Sequence, residues 1–434
     1  MNKSIRYNEI TTLTGLALVI ANMIGTGAFT SLGFQLVDLQ NPTTLLLLWI
    51  LGGFIALSGA FSYAEIGTQI QKSGGEYAFL SSLFHPLVGY LSGWISITVG
   101  FAAPIALSSI AFAAYFPFFN LNPQWTSILL IGFITAIHTR SLAFSSTFQN
   151  VSTILKVALI LALIIIGLST QASSEDVATL GGIGFTEIIS PAFAIALIYV
   201  SYSYSGWNAA AYIIEEFKNP KKSLPIALIG GTILVTLLYT LLQYVFLKHV
   251  PINELKGQLD VGTITMTKML GENYAKLFGL AISLLLVSSI SAMVWVGSRV
   301  TSSIANDHKF WQYFKTSQKH LPKKALWFQF LISALLIITG TFEQILIYCG
   351  ILLTVSSVVT VFGVFKLRIQ NRSQAQSGYK SPFFPIFQIV FITLSLWMIV
   401  YAFINKPTET LIGLGNIFLG LVTYLWSNKL KNKQ

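Results

Sequence analysis

The sequence predicts an all-α integral membrane protein with about twelve transmembrane helices, two of them interrupted. Of its 434 residues, 54% are hydrophobic and only 9% are charged, and the mean hydropathy is +0.71. Soluble domains carry about 25% charged residues, so the composition excludes an ordinary soluble protein. A helical span needs about 20 apolar residues, and the chain has room for about twelve spans joined by short loops.

Apolar runs bounded by polar residues place the spans along the chain. The runs 125–140 and 325–340 are the shortest, and the run 84–115 is long enough to include part of a connector. In chain order, the predicted spans are 11–36, 43–70, 84–115, 125–140, 143–168, 188–216, 224–248, 276–305, 325–340, 342–369, 382–404 and 408–427.

Lysine and arginine residues collect on one predicted side of the membrane. With an even number of spans, both termini lie on the same side of the membrane. About twenty lysine and arginine residues lie on that side and about five on the opposite side. The positive-inside rule therefore predicts that both termini lie in the cytoplasm. We expect a multi-pass protein of the cell (inner) membrane. The net charge of +11 is thus a topology signal, and no nucleic-acid partner is expected.

The first predicted span carries polar residues and two close glycines in its middle: Asn22, Gly25, Thr26 and Gly27. Glycine allows the backbone to leave helical geometry without a steric penalty. In lipid, each unpaired backbone group costs several kcal/mol, so such a break is tolerated only beside protein or water. Transporters use these breaks to hold substrates or ions. We predict that Ile24 to Gly27 form an unwound hinge that binds a small zwitterion; the alternative is close helix packing through small residues.

The predicted hinge offers both kinds of partner that an amino acid needs. The free amides of Gly25, Thr26 and Gly27 would lie at the positive end of the outer half-helix, which suits a carboxylate. The free carbonyls at the end of the inner half-helix, from Asn22 to Ile24, would suit an ammonium group.

A second polar, glycine-bearing segment interrupts the sixth predicted span. It contains Tyr202, Ser205, Gly206, Trp207 and Asn208. Its carbonyls are predicted to bind the substrate ammonium, Tyr202 and Trp207 to form aromatic walls, and Asn208 to contact substrate or hold the hinge. The alternative is an aromatic packing stripe.

Two interrupted helices, each opening a block of five spans, indicate inverted repeats. The two blocks would insert with opposite topology, and the last two spans would lie outside the repeat. The predicted units are a cytoplasmic amino terminus 1–10, a first repeat 11–168, a second repeat 188–369, two further helices 382–427 and a cytoplasmic carboxyl terminus 428–434.

Lys156 is the most distinctive single residue, because it is a charged group inside the fifth predicted span. It lies roughly a dozen residues from the start of that span, about 16 Å deep at 1.5 Å per residue. A lysine at that depth costs at least about 2.5 kcal/mol and typically marks function. We predict that its ammonium fills a cation site between the first and eighth spans, near Ser288, Ser289 and Ser291, and removes the need for sodium. The alternative is snorkelling to the interface.

Four glutamates near cytoplasmic helix ends are expected to form ion pairs with neighbouring lysines. We predict no acidic residue beside either hinge, which argues against a cationic substrate. The glutamates are Glu65, Glu76, Glu215 and Glu216, and the lysines are Lys72, Lys218, Lys221 and Lys222.

Enzyme signatures are missing from the sequence. Its five histidines lack metal-ligand spacing, and there is no Walker loop, HExxH or GxSxG motif. The single cysteine, Cys349, lies in a predicted helix and can form no internal disulfide. We therefore expect no catalytic residue, no metal and no cofactor.

Short motifs spread over nearly the whole chain resemble those of one transporter family. Residues 25–29 resemble the family's Gly-Ser-Gly-Ile-Phe motif. The others are Tyr63-Ala64-Glu65-Ile66-Gly67, Lys72-Ser73-Gly74-Gly75-Glu76-Tyr77, residues 202–208, 215–220 and 224–227, and the later 298–300, 305–307 and 379–382. Together they resemble the amino acid–polyamine–organocation (APC) superfamily, and more closely its L-type amino acid transporter branch.

The resemblance implies a five-plus-five inverted repeat, alternating access and an amino acid bound between the two hinges. It also implies that Lys156 replaces a sodium ion, as in related sodium-independent exchangers. Thr26 and Ala28 depart from the family's usual Ser and Ile and alter the pocket wall beside the carboxylate. The loop 116–124 lacks the cysteine that tethers a partner in animal relatives, so no disulfide-linked subunit is expected.

The sequence therefore predicts a secondary-active, sodium-independent transporter of small or medium neutral L-amino acids that works as an exchanger. Its expected partners are the amino acid substrate and membrane lipid. The first alternative is a proton-coupled amino acid or amine symporter, and the second is an amino acid sensor without transport.

Overall fold

The computed structural model describes residues 10–116, 122–140, 146–172, 180–316, 321–370 and 378–431. Every regular element in these ranges is a helix, apart from one isolated bridge between Ile10 and Phe217, which confirms the all-α prediction. The predicted termini, the start of the fifth predicted span and the loop 116–124 lie partly outside these ranges.

Eighteen α-helices lie in the described ranges, with a short π-helix at Ser96–Gly100 and two 3-10 helices at Ala209–Glu216 and Lys309–Phe314. The α-helices are α1 Thr12–Met23, α2 Gly27–Gln35, α3 Pro42–Ile70, α4 Gly75–Leu83, α5 Pro86–Ile95, α6 Ala102–Tyr115, α7 Pro123–His138, α8 Ser146–Ser169, α9 Phe185–Ile188, α10 Pro191–Ser203, α11 Pro220–His249, α12 Ile252–Leu255, α13 Val261–Leu270, α14 Glu272–Asp307, α15 Lys323–Thr339, α16 Phe342–Gln370, α17 Ile386–Asn405 and α18 Pro407–Lys431.

Nine helical segments in the described part of the chain are long and apolar enough to cross a membrane. The other three predicted spans correspond to the shorter helices α7, α10 and α15. The protein is therefore a multi-pass membrane protein. The structure also contains helices that the hydropathy pattern did not predict, since α4, α12 and α13 lie between spans.

Helix boundaries agree with the predicted spans to within a few residues. The largest differences are at α11, α14, α17 and α18. α11 begins at Pro220 rather than at 224, because proline at the first helical position needs no amide partner there. α14 has 36 residues, about 54 Å at 1.5 Å per residue, so it extends beyond a hydrocarbon core of about 30 Å.

The first span is broken where its glycines predict a hinge. α1 ends at Met23, Ile24 adopts an extended conformation with φ −73° and ψ 93°, and α2 begins at Gly27. Ile24 to Thr26 therefore form the break, close to the predicted hinge of Ile24 to Gly27. Both half-helices pack against α11, and α2 also packs against α10.

The sixth span is also broken. α10 ends at Ser203, a turn follows, and the chain continues as the 3-10 helix Ala209–Glu216. The start of the described chain lies against the end of this segment, since the Ile10 amide donates to the Glu216 carbonyl at 2.9 Å and the Lys218 amide to the Ile10 carbonyl at 3.1 Å. We call the side of the membrane on which these residues lie the inner side.

Candidate functional site

The two breaks meet at a cavity of about 240 Å³. All the residues predicted for the site from the sequence line this cavity. From the first span they are Asn22, Ile24, Gly25, Thr26 and Gly27; from the sixth they are Tyr202, Ser205, Gly206, Trp207 and Asn208; and Lys156 comes from α8. The structure therefore brings the three predicted parts of the site together. A substrate role for these residues stays a prediction.

The first break leaves backbone donors facing the cavity. The Thr26 carbonyl accepts from the amides of Phe29 and Thr30 at 3.0 and 3.1 Å, which starts α2. The amides of Thr26 and Gly27 donate to no acceptor among the described residues. They lie at the positive end of α2, where an anion is favoured by the helix dipole.

Some of the acceptors expected in the first break already have protein partners. The Tyr239 hydroxyl donates to the Met23 carbonyl at 2.6 Å. The side-chain amide of Asn22 turns back along α1 and donates to the Leu18 carbonyl at 2.9 Å. Fewer carbonyls of the first span therefore remain for an ammonium group than the sequence suggested.

The second break supplies further carbonyls. The Tyr202 carbonyl accepts from the Ser205 amide at 2.8 Å, and the Gly206 carbonyl accepts from the Ala209 amide at 3.0 Å. The carbonyls of Ser203 and Ser205 accept no backbone or side-chain hydrogen bond within the described residues. Gly206 has a φ of +98°, a conformation that glycine adopts without strain.

Trp207 serves both as a packing residue and as a cavity wall. It is buried, and its ring meets that of Tyr63 edge to face at a centroid distance of 4.6 Å. Phe391 of α17 contacts the same indole at a centroid distance of 6.5 Å. Trp207 therefore agrees both with the prediction of an aromatic cavity wall and with the alternative, an aromatic packing stripe.

The outer halves of the two broken helices pack tightly against each other. A Cβ atom built on Gly27 would lie 2.4 Å from Ser203 Oγ and 2.6 Å from Ser203 Cα. Ser31 Oγ lies 3.0 Å from Ser203 Oγ. Further out, Glu343 accepts from the Tyr199 hydroxyl at 2.7 Å and from Lys406 at 2.8 Å. These contacts join α2 to α10, and α10 to α16.

Lys156 is buried and lines the cavity from α8. Its Nζ donates to Ser289 Oγ at 2.6 Å, one of the three α14 serines predicted as neighbours. A second, Ser291, instead lies 2.8 Å from His138 Nε2. Among the described residues, no carboxylate lies within ion-pair distance of Lys156. Lys156 therefore places a buried amine beside the cavity, where α8 packs against α1 and α14.

The expectation that no acidic residue lies beside either hinge is wrong. Glu76 lines the cavity and accepts hydrogen bonds from the Asn208 amide and the Tyr212 hydroxyl, each at 2.5 Å. The sequence placed Glu76 outside the membrane, but Gly74 and Gly75 have φ values of +117° and +58°. This turn brings the start of α4 against the second break.

The predicted lysine partners of the glutamates are also wrong where the structure tests them. Glu65 pairs instead with Arg368, whose Nε and Nη2 lie 2.7 and 2.8 Å from its two carboxylate oxygens. Glu76 contacts only neutral donors, and the Glu215 carboxylate accepts a hydrogen bond from the Ser73 amide. The lysines near in sequence are exposed, as is Glu215, whereas the carboxylates of Glu65 and Glu76 are directed into the protein.

Other cavity residues could not be found from the sequence. They come from α6, α14, α16 and α17, where a hydropathy pattern does not distinguish residues that face a cavity from residues packed in the core. They include Phe101, Ser108, Met293, Ser356 and Met398.

Comparisons with known proteins agree with this architecture. The model of one protein family, described as amino acid permease, matches residues 10–424. The chain is 27% identical over 427 residues to the b(0,+)-type amino acid transporter 1 of Mus musculus, covering 96% of this chain and 87% of that protein. It is 27% identical over 401 residues to the serine/threonine exchanger SteT of Bacillus subtilis, covering 90% of each. It is 24% identical over 435 residues to the cystine/glutamate transporter of Homo sapiens, covering 97% of this chain and 86% of that protein.

Proposed function

The chain belongs to the amino acid permease family of the APC superfamily, and on that basis we propose that it exchanges small or medium neutral L-amino acids without sodium. The observation that carries the proposal is the convergence of both helix breaks and Lys156 on one cavity. The family is one of transporters, not enzymes.

The substrate carboxylate would bind to the amides of Thr26 and Gly27. These donors lie at the start of α2 and have no protein acceptor among the described residues. The substrate ammonium would bind to carbonyls of the second break, including those of Ser203 and Ser205. One zwitterionic substrate would thus bind to both broken helices, by its carboxylate to the first span and by its ammonium to the sixth. Tilting of these helices would then expose the substrate to one side of the membrane or the other.

The size and lining of the cavity favour a small neutral side chain. Its volume of about 240 Å³ is below the roughly 300–1,000 Å³ of sites for drug-sized ligands. Ile95, Phe101 and Met293 contribute apolar walls. Glu76, the acidic residue of the lining, already accepts hydrogen bonds from protein donors, so a cationic side chain is not expected.

The position of Lys156 supports the proposed sodium independence. A buried ammonium between α1 and α14 supplies the charge that a bound cation would otherwise bring. Exchange rather than one-way transport is supported by the relatives, one of which is described as a serine/threonine exchanger.

Proton-coupled symport is the second candidate function, because Glu76 is a buried carboxylate in the cavity lining. Carboxylates of this kind carry protons in transporters. Concentrative uptake into substrate-free vesicles driven by an acidic exterior would support symport. Uptake that needs an internal amino acid would support exchange.

We also propose that the protein lies in the cell membrane with both termini in the cytoplasm, and that it needs no disulfide-linked subunit. The inner side defined by Ile10 would then face the cytoplasm. Reporter fusions at each terminus test the orientation, and the lysine and arginine distribution predicts a cytoplasmic signal from both.

A thermal-shift screen of the purified protein against the twenty common amino acids tests the substrate class. We expect small or medium neutral L-amino acids to stabilise the protein, because a ligand that binds only the folded state raises its melting temperature. Stabilisation by lysine and arginine alone would overturn the proposed class.

A further inference from the structure

Residues 73–76, between the second and third spans, dock onto the inner half of the sixth span. The Gly74 amide donates to the Tyr212 carbonyl at 3.1 Å. The Glu215 amide donates to Ser73 Oγ at 3.0 Å, and the Ser73 amide donates to a Glu215 carboxylate oxygen at 3.2 Å. With the Glu76 contacts to Asn208 and Tyr212, these hydrogen bonds form a set that we call the inner clamp.

Glu76 is the centre of the inner clamp. It is 4% exposed, and both of its carboxylate oxygens are used. Oε1 accepts from the Tyr63 hydroxyl at 2.9 Å and from the Asn208 amide at 2.5 Å, while Oε2 accepts from the Tyr212 hydroxyl at 2.5 Å. The three donors belong to α3, the second break and the inner 3-10 helix, so one side chain joins three elements.

Asn208 connects the inner clamp to the cavity. Its side chain lines the cavity and also donates to Glu76. The inner segment Ala209–Glu216 follows it directly, and Gly75 leaves no space there, since a Cβ atom on Gly75 would lie 2.8 Å from the Tyr212 ring. The inner segment therefore cannot move away from residues 73–76 without breaking the hydrogen bonds of Glu76.

We propose that the inner clamp makes exchange obligatory, with Glu76 as a positioning residue that acts through Asn208. The Glu76–Asn208 hydrogen bond holds the inner half of the sixth span and slows the return of the substrate-free carrier. A substrate in the cavity contacts Asn208, weakens that bond and permits the movement. This inference rests on the proposed exchange function and adds a reason why the substrate-free carrier does not cycle.

Glu76→Gln tests the proposal, because glutamine has one acceptor oxygen where glutamate has two. One carboxylate oxygen becomes an NH2 group, which can donate to the Tyr212 hydroxyl but cannot accept from it, and the hydrogen bonds from Tyr63 and Asn208 lose their charge and become about half as strong. The assay is efflux of labelled L-serine from proteoliposomes, into buffer with and without unlabelled L-serine. We expect efflux into serine-free buffer to rise about three- to tenfold relative to exchange, the effect of weakening one or two charge-assisted hydrogen bonds.

Two further variants keep the test decisive. Tyr77→Phe is the matched control: it removes a hydroxyl from the same helix, but that hydroxyl donates to Asp307 at 2.8 Å, away from the cavity. Its ratio of free efflux to exchange should equal that of the wild type. Tyr212→Phe removes a single donor to Glu76 and should raise the ratio by a smaller factor; it decides the question if Glu76→Gln does not fold.

The possible outcomes separate this inference from the proposed function. Wild-type protein that binds serine but shows no exchange contradicts the proposed function itself. Wild-type exchange with an unchanged ratio in Glu76→Gln and Tyr212→Phe overturns the inner clamp, as does an equal fall of both fluxes, which would mean that Glu76 is only structural.

Discussion

Gly206 faces the backbone of Asn22 so closely that a Cβ atom on Gly206 would lie 2.7 Å from both the carbonyl carbon and the carbonyl oxygen of Asn22. The two helix breaks are therefore in direct contact, and only a residue without a side chain fits between them. This contact gives the cavity two adjoining walls, one from each broken span. It also means that the breaks cannot change shape independently.

Gly206→Ala should weaken substrate binding in a folded protein. The φ of +98° is strained for alanine, and the methyl group would displace the Asn22 backbone. Strain of this kind costs about 1–3 kcal/mol, so we expect a loss of affinity of about 5- to 150-fold. Binding of labelled L-serine to purified protein measures it. Gly415→Ala is the control and should bind serine normally, because no atom lies within 4 Å of a Cβ atom built on Gly415. Normal serine binding by Gly206→Ala would contradict the close contact between Gly206 and Asn22.

The glycines of the first break should respond differently to the same substitution. Gly27→Ala places a methyl group 2.6 Å from Ser203 Cα, and overpacking of this kind costs about 1–3 kcal/mol. In Gly25→Ala the nearest atom is the Met23 carbonyl oxygen at 3.9 Å, and the backbone amide is kept. We expect Gly27→Ala to lose transport and Gly25→Ala to keep most of it. Equal effects of the two substitutions on serine uptake would contradict the packing described here.

Lys156→Ala should lose amino acid uptake at least about tenfold, because it removes the buried cation beside the cavity. Uptake by the wild type should be the same in sodium and in choline buffer. Lys268→Ala is the control, since that lysine pairs with Glu254 near the surface and should not affect uptake. Strong sodium dependence of the wild type would contradict the role proposed for Lys156.

Arg368→Ala should destabilise the protein far more than loss of a surface ion pair. Glu65 is 1% exposed and would lose a bidentate partner, which costs about 3–5 kcal/mol for a buried pair. Lys268→Ala breaks the exposed pair with Glu254 and should cost about 0–1 kcal/mol. Thermal unfolding in detergent measures both. A similar fall in melting temperature for the two variants would show that the Glu65 pair contributes little.

The helix breaks could be predicted from the sequence because their cause is local. Glycines and polar residues in an apolar run, such as Gly25 and Gly206, indicate that the helix is interrupted at their own position. The depth of Lys156 likewise follows from counting residues along one helix. These signals were sufficient to identify residues that the structure brings together at one cavity.

The role of Glu76 could not be predicted, because it depends on packing between distant segments. Its sequence neighbour Lys72 suggested a surface ion pair, whereas the turn at Gly74 and Gly75 directs the carboxylate towards Asn208. The partner of Glu65 could not be predicted for the same reason, since Arg368 lies on α16, about 300 residues further along the chain. Charged residues near predicted helix ends therefore carry little information about their partners.

Counterflow in proteoliposomes tests the central claim most directly. Vesicles loaded with unlabelled L-serine, in sodium-free buffer at equal pH on both sides, should take up labelled L-serine several times faster than empty vesicles. Mutual acceleration of this kind requires a carrier that moves loaded in both directions. Equal uptake by loaded and empty vesicles, or uptake only with sodium or a proton gradient, would contradict sodium-independent exchange.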